Sequence, residues 1–302
     1  MIERVSPAGL ARDPAGPGVS VVIVTYNSAD SLPGFLDSLL AHPPSSPWEL
    51  IVVDNASSDR SVELMRRRHP TATVLAHGVN RGFAAGVNSG VAVAREECLL
   101  LANPDVMWDS DVIDRLRQFL QDHPRAAAVA PRLVHPDGRP QPSVRRFPSH
   151  ANIWFSRRSP WKSAPSDRLT RTAYTLADPL HPAPVEAVAA TFLCVRGTAL
   201  RAVGGMDEEY FLYVEDTDLC RRWHDAGWEV WSDPTVTVRH TWRSRVAYDP
   251  VLARYHRAGI RRYFQRHHDR QRLRNAVLFL ALAVAGGWER LLLWVARPRS
   301  VR

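Results

Sequence analysis

Apolar positions along the chain follow two rhythms. Val19-Ser20-Val21-Val22-Ile23-Val24 and Leu99-Leu100-Leu101 are short, nearly continuous apolar runs, the pattern of strands covered on both faces. Between them Leu32, Phe35, Leu36, Leu39 and Leu40 recur at helical spacing and predict an amphipathic helix. Residues 49–53 read as a second strand ending in Asp54-Asn55, and Ser57, Ser58 or Asp59 would cap the helix that follows to about residue 69. Residues 73–75 form a short third strand, residues 80–86 open a helix of small residues reaching about residue 96, and the leucine run is followed by a helix over about 109–122 and a strand at 127–130. Strand–helix alternation with connections this short predicts an α/β fold: a mostly parallel, Rossmann-like central sheet with flanking helices. Residues 1–18, rich in Pro, Gly and Ala, read as a flexible arm.

The rhythm breaks at 131–186, which holds ten of the 23 prolines together with Arg145, Arg146, Arg157, Arg158 and Trp161. An insert of that length without regular structure reads as substrate-facing loops. Order returns with a strand at 188–195, a helix from about 197 to Gly204-Gly205, and an aromatic run that leads into Glu215-Asp216-Thr217-Asp218. Two short strands near 228–231 and 235–239 end at His240. From 246 to 302 the character changes: Arg254, Arg257, Arg261, Arg262, Arg266, Arg270, Arg272 and Arg274 precede an apolar stretch carrying Trp288 and Trp294. Its uncharged run is shorter than the roughly 20 residues a bilayer span needs. A basic helix beside an apolar one fits a peripheral anchor on an anionic membrane surface; a core-packing helix with a solvated basic face, or a homodimer contact, fits the same pattern.

Polar residues collect where the strands end: Thr25, Tyr26 and Asn27, Asp54, Asn80 and Arg81, Asn103 and Asp105. In open α/β sheets that edge binds ligands, although Asn27, Asn55 and an isolated Asn-Pro-Asp also suit turns. Glu215 and Asp216 begin a helix, where the macrodipole favours acids, but paired semi-buried carboxylates also suit proton abstraction. No glycine-rich phosphate loop follows the first strand, which argues against dinucleotide enzymes and P-loop hydrolases. The net charge of +8 favours an anionic partner; the basic stretch has no recognised nucleic-acid-binding fold around it, which makes nucleic acid the weaker claimant, and none is expected. Nearly all the 39 basic residues are Arg. Cys98, Cys194 and Cys220 form no CxxC and read as buried reduced thiols of a cytoplasmic protein. The start of the chain lacks the pattern of a secretory signal.

Taken together, these motifs resemble family 2 inverting glycosyltransferases of GT-A fold, over residues 19–245, with the 131–186 insert on the acceptor side and 246–302 as a membrane-associating appendage. The resemblance implies that Thr25, Tyr26, Asn27 and Asp54 hold the nucleoside of a sugar nucleotide and that Asn80, Arg81 and Gly82 lie beside it. Asn103-Pro104-Asp105 stands where the family carries DxD, with Asp105 and the late His240 as ligands of Mg²⁺ or Mn²⁺. Glu215-Asp216 resembles the ED motif, with Asp216 as general base. Asn103 departs from the first acid of DxD, which leaves a catalytically silent nucleotide- or lipid-binding module as an alternative. Leu219 stands where processive synthases carry the Gln of QxxRW, which favours addition of a single sugar. Leu133 to Gly138, Pro142 to Ser149, Trp161-Lys162-Ser163 and Tyr213 to Leu219 are similar to actinobacterial rhamnosyltransferases acting on GlcNAc-diphosphate-polyprenol. That likeness implies dTDP-L-rhamnose as donor, a polyprenyl-diphosphate-linked sugar as acceptor, cell-wall (arabinogalactan) linker synthesis, and work on the inner face of the cell membrane. A UDP- or GDP-linked donor for another surface glycan is the alternative.

Overall fold

The computed structural model describes residues 16–154, 174–241 and 249–295, which form two units. One comprises 16–147, 174–211 and 215–241, the other 148–154, 212–214 and 249–295. Arg157, Arg158, Trp161, Lys162 and Ser163, residues 1–15 of the N-terminal arm, and the side chains of Trp288 and Trp294 lie outside the described residues.

The first unit begins with the predicted alternation: β1 (Gly16–Thr25), α1 (Leu32–Ala41), β2 (Trp48–Asp54), α2 (Ser61–Arg68), β3 (Thr73–Ala76), α3 (Phe83–Val93) and β4 (Glu96–Ala102). It continues through β5 (Val106–Met107), α4 (Val112–Asp122), β6 (Ala126–Val134) and β7 (Val144–Arg145). After α5 (His150–Trp154), which belongs to the second unit, come β8 (Ala183–Val185), β9 (Ala187–Val188), β10 (Phe192–Arg196), α6 (Gly197–Ala202), α7 (Glu215–Asp225) and β11 (Glu229–His240).

The main sheet runs β3-β2-β1-β4-β10-β6-β11-β5, with β8 alongside β11. Strands β3, β2, β1 and β4 are parallel, as are β6 and β11, while β10 runs antiparallel between β4 and β6. Alternate residues of the central strands enter two different clusters. Val19, Val21, Ile23 and Leu100 pack with Phe35, Leu36 and Leu116 on one face; Val22, Leu99 and Leu101 pack with Val87, Leu193 and Trp223 on the other. Burial on both faces is why these strands read as unbroken apolar runs.

Four expectations need correction. Strand β1 starts at Gly16 rather than 19, because Gly16 registers with Glu96 and the Gly18 amide donates to the Glu96 carboxylate at 2.8 Å. Leu40 faces solvent, since α1 buries Leu32, Phe35, Leu36, Ser38 and Leu39 instead. The stretch 188–195 is broken between β9 and β10: the Ala189 amide donates to Ser143 O and Thr191 O accepts from the Asn103 amide, so these backbone groups tie loops together rather than extend a ladder. Conversely, the two strands near 228–239 are one, β11, whose register shifts between Asp233 and Thr237. Pro234 has no amide to give the ladder, and Asp233 accepts from the Thr235 amide and hydroxyl at 2.9 and 2.6 Å.

The second unit joins α5 to α8 (Pro250–His267) and α9 (Arg272–Val295). Asp249 caps α8, accepting from the Val251 and Leu252 amides, with Pro250 in the first turn. Buried Asn275 ties three segments: it donates to His268 O at 2.7 Å and its Oδ1 meets His150 Nε2 at 2.9 Å. Gly259 lets the 212–214 segment approach α8, since a Cβ there would stand 2.6 Å from Tyr213 O. No helix of the described residues is long and apolar enough to cross a membrane.

Candidate active site

The carboxyl ends of β1 and β2 are locked to each other. Thr25 Oγ1 donates to Asp54 Oδ1 at 2.8 Å, and Asp54 also accepts from the Ser57 amide and hydroxyl at 2.9 and 2.6 Å. Asn27 adopts φ 50°, its amide donates to Ser57 Oγ, and its Oδ1 accepts from the Ser58 amide and hydroxyl. None of the three expected residues caps α2, because Ser57 and Ser58 are engaged in these ties. Burial acts to raise the Asp59 carboxyl, but the Ser61 hydroxyl, followed by the Ala29 and Ser61 amides, donates to it and holds it below the usual range. The Tyr26 ring is left open, 55% exposed beside the buried Thr25.

The loop before α3 closes over the same edge. Asn80 Oδ1 accepts from the Gly82 amide, and Arg81 pairs with Glu208 at 3.2 Å. Gly82 takes φ 85°, and a Cβ there would sit 2.3 Å from Phe211 O, so only glycine fits. Asn55, read from sequence only as a turn residue, stitches these pieces: it donates to Gly82 O at 2.9 Å and meets His77 Nδ1 at 3.0 Å. Burial pushes the His77 imidazole below its ordinary value, reinforced by Arg81.

Beyond β4 the chain turns through Asn103, Pro104 and Asp105. The Asn103 amide donates to Thr191 O, and β5 pairs Val106 with His240 at the end of β11. The pairing brings Asp105 Oδ1 to 3.3 Å from His240 Nε2, and the Thr241 amide donates to Asp105 O at 2.9 Å. Asp105 Oδ1 is buried and accepts no hydrogen bond. The other imidazole nitrogen of His240 faces the Gln141 amide group at 2.9 and 3.2 Å, so Gln141 fixes the ring. Among the described residues no cluster of three or more His, Cys, Asp or Glu could hold a metal ion. A cation here would take two protein ligands, Asp105 and His240, and complete its shell from a bound diphosphate or water.

Glu215 and Asp216 open α7 and are buried, at 5% and 8% exposure. Arg145 Nη1 lies 3.0 and 2.9 Å from the two Asp216 oxygens, and the Thr217 amide donates to Oδ1 at 2.7 Å. Burial opposes the charge on Arg145, yet Asp216, Tyr174 and Glu215 around it hold the guanidinium above its ordinary range. Tyr174, whose hydroxyl meets Thr217 Oγ1 at 3.1 Å, is raised by burial. Glu215 is held less fully: its Oε2 is buried without a hydrogen bond, and burial together with Asp216 pushes its carboxyl up to about 8, against the pull of its own backbone amide and Arg145. The third acid of the motif does something else. Asp218 accepts from Arg222 Nε at 2.7 Å, and Arg222 Nη1 reaches Val203 O and Gly205 O, so this pair braces α7 against the turn after α6.

The structure thus gathers Thr25, Asn27 and Asp54 into one group, Asn80, Arg81 and Gly82 into a second, Asp105 and His240 into a third, and Glu215 and Asp216 with Arg145 into a fourth. Sequence reasoning missed Gln141, Tyr174 and the bridging role of Asn55. Gln141 sits between two prolines with no motif around it, and its role exists only through contact with His240.

Comparison with known proteins bears on this arrangement. Residues 20–174 match Glycosyl transferase family 2. The chain is 32% identical to the N-acetylglucosaminyl-diphospho-decaprenol L-rhamnosyltransferase of Mycobacterium tuberculosis (strain ATCC 25618 / H37Rv), an alignment covering 92% of this chain and 88% of that protein. It is 29% identical to the pre-mycofactocin glycosyltransferase of the same organism, over 78% of this chain and 46% of that one. Among solved structures, the mannosyltransferase PcManGT from Pyrobaculum calidifontis, in complex with GDP-Man and Mn²⁺, superposes with a TM-score of 0.56 at 19% identity, covering 85% of this chain and 68% of that chain. TarS 1–349 of S. aureus, in complex with UDP-GlcNAc, gives 0.55 at 16% identity, covering 82% and 67%.

Proposed function

This chain belongs to glycosyl transferase family 2, and from that membership we propose that it is an inverting enzyme that moves one L-rhamnosyl residue from dTDP-L-rhamnose to a GlcNAc-diphosphate-polyprenol. It has the GT-A fold and is a glycosyltransferase. The observation that carries the substrate assignment is the 32% identity, across 92% of the chain, with a relative named for that acceptor and that sugar. We assign the reaction to the inner face of the cell membrane, where a soluble nucleotide sugar meets a lipid-linked acceptor.

In this reading the exposed Tyr26 ring covers the nucleobase, and Thr25, Asn27 and Asp54 shape the nucleoside pocket beneath it. Asn80, Arg81 and Gly82 close its side, and Asn103 and Asp105 face the diphosphate. Mg²⁺ or Mn²⁺ fits Asp105 and His240: a buried carboxylate oxygen without a hydrogen bond opposite an imidazole nitrogen suits such a cation. When bound, the cation supplies charge that offsets the departing diphosphate. Asp216 takes the proton of the attacking acceptor hydroxyl. The hydroxyl oxygen bonds to the anomeric carbon as the bond from that carbon to the diphosphate oxygen breaks, and the nucleoside diphosphate leaves with the electron pair. One displacement from the opposite face inverts the centre. Arg145 orients Asp216 and balances its charge within the buried site. Glu215, with its raised carboxyl, completes the acid pair without a second buried negative charge at neutral pH.

The donor assignment is tested by heat stability of the protein with dTDP, UDP or GDP, each with and without Mn²⁺, because a ligand of the native state raises the melting temperature. A metal-dependent rise with dTDP alone is expected. A rise with UDP or GDP instead would keep the mechanism and overturn the donor.

A further inference from the structure

The second unit carries a helix face that faces outward and is apolar. Along α9, Leu273, Val277, Leu280 and Val284 follow spacings of four, three and four, one line on a helix, and they are 81%, 53%, 67% and 49% exposed. Ala276, Ala283 and Gly287 widen the same exposed face, and no residue from 275 to 287 is charged. The opposite side is already used: Asn275 and Leu278 are buried, and Asn275 bonds α8 through His268 O and Phe264 O. An amphipathic helix on a globular protein presents its polar side to water; α9 presents apolar side chains instead.

Arginines border this face. Arg272 and Arg274 are exposed on either side of Leu273, and the guanidinium of Arg261 on α8 lies over the Phe279 ring at 5.2 Å. From 250 to 287 the chain has eight arginines and one acid, Asp269. A second copy meeting this face with the two helices parallel would set the same basic border against itself. An anionic bilayer instead matches both features, with apolar side chains entering the acyl boundary and guanidinium groups meeting lipid phosphates.

We propose that the outer face of α9 is a membrane-docking surface, with Leu273, Val277, Leu280 and Val284 inserting at the interface of an anionic phospholipid bilayer and Arg261, Arg272 and Arg274 contacting its headgroups. The helix lies in the plane of the surface, since it is too short in apolar length to span. The inference rests on the second unit alone and does not depend on the donor or acceptor proposed above.

The test is co-sedimentation of the full chain with vesicles of phosphatidylcholine and of phosphatidylcholine with phosphatidylglycerol, alongside light scattering for mass in solution. Wild type is expected to bind the anionic vesicles and to be monomeric without them. Val277→Glu/Leu280→Glu should lower the partition coefficient at least about tenfold, and Arg272→Gln/Arg274→Gln by roughly fivefold per charge at low salt. All four positions are exposed, so melting temperature and nucleotide-induced stabilisation should be unchanged. Those two readouts separate loss of docking from loss of fold or of nucleotide binding. Wild type that ignores anionic vesicles, a Val277→Glu/Leu280→Glu variant that binds as well as wild type, or a stable dimer that this variant dissociates would overturn the proposal.

Discussion

At the ends of β1 and β2 the polar side chains use one another up: Thr25, Ser57 and Asp54 form one closed set, Asn27 and Ser58 another. At the ends of β4 and β11 and the start of α7 Asp216 is held by Arg145 and Thr217 and His240 by Gln141, but two carboxylate oxygens are left over. Asp105 Oδ1 and Glu215 Oε2 are buried without hydrogen bonds, and two carboxylic groups adjoin at Glu215 and Asp216. Buried polar atoms are normally satisfied; other exceptions, Trp108 Nε1 and Ser232 Oγ among them, lie elsewhere in the chain, and what sets these two apart is their place beside His240 and Asp216. On the proposed function, the difference separates a scaffold that shapes a pocket from a set of groups that would take a cation and a proton. Substitutions in the first region should act mainly on stability, and those in the second on turnover, on the buried charge balance that stability reads, or on both.

The largest effect expected is at Asp105. Asp105→Ala would remove one of the two proposed cation ligands and should lower transfer by about 10³-fold, the several kcal/mol that a metal contributes to transition-state charge. It should also abolish the metal-dependent part of the nucleotide-induced rise in melting temperature; full activity with added chelator would break the comparison. Next comes Arg145→Ala, which leaves Asp216 buried beside Glu215 without its cation. Breaking such a pair should cost about 3 kcal/mol of stability, read by denaturant unfolding.

Glu215→Gln should act in the opposite sense and with a pH signature. The native carboxyl is raised to about 8 from an ordinary 4.5, so between those values the unfolded chain gives up a proton that the native chain keeps. That contribution to stability is fully present below about 4.5 and is lost as pH rises toward 8. Glu215→Gln should therefore unfold at the same denaturant concentration as wild type near pH 4.5 and at a higher one near pH 8. A difference that shrinks with rising pH would contradict the burial argument.

Smaller effects sharpen the contrast. Gln141→Ala frees the His240 ring and should weaken the apparent metal affinity about tenfold, with kcat at saturating metal nearly retained. Thr25→Val removes one hydrogen bond to Asp54 and should cost about 1 kcal/mol of stability while changing transfer little.

What the sequence could reveal follows the same division. Val19 to Val24 and Leu99 to Leu101 announce buried strands because both faces of each are covered, and their polar ends follow directly. Glu215-Asp216 and Asn103-Pro104-Asp105 are contiguous, so a motif could carry them. Strand β5 has two residues, and its pairing with Arg239 and His240 is a long-range fact that no local pattern encodes. Gln141 and Tyr174 matter only through one partner each, His240 and Thr217. The Asp233–Thr237 irregularity likewise looks like a strand end in sequence and is a bulge in the sheet.

The most direct test of the central claim is the rate of sugar transfer by Asp216→Asn, measured under saturating donor and acceptor beside its nucleotide-induced thermal shift. The account predicts that transfer falls by 10³-fold or more, on the scale of a lost general base, while the thermal shift stays at the wild-type value. Transfer at the wild-type rate with an intact shift would show that the proton goes elsewhere and that the unsatisfied region is not where the reaction is driven.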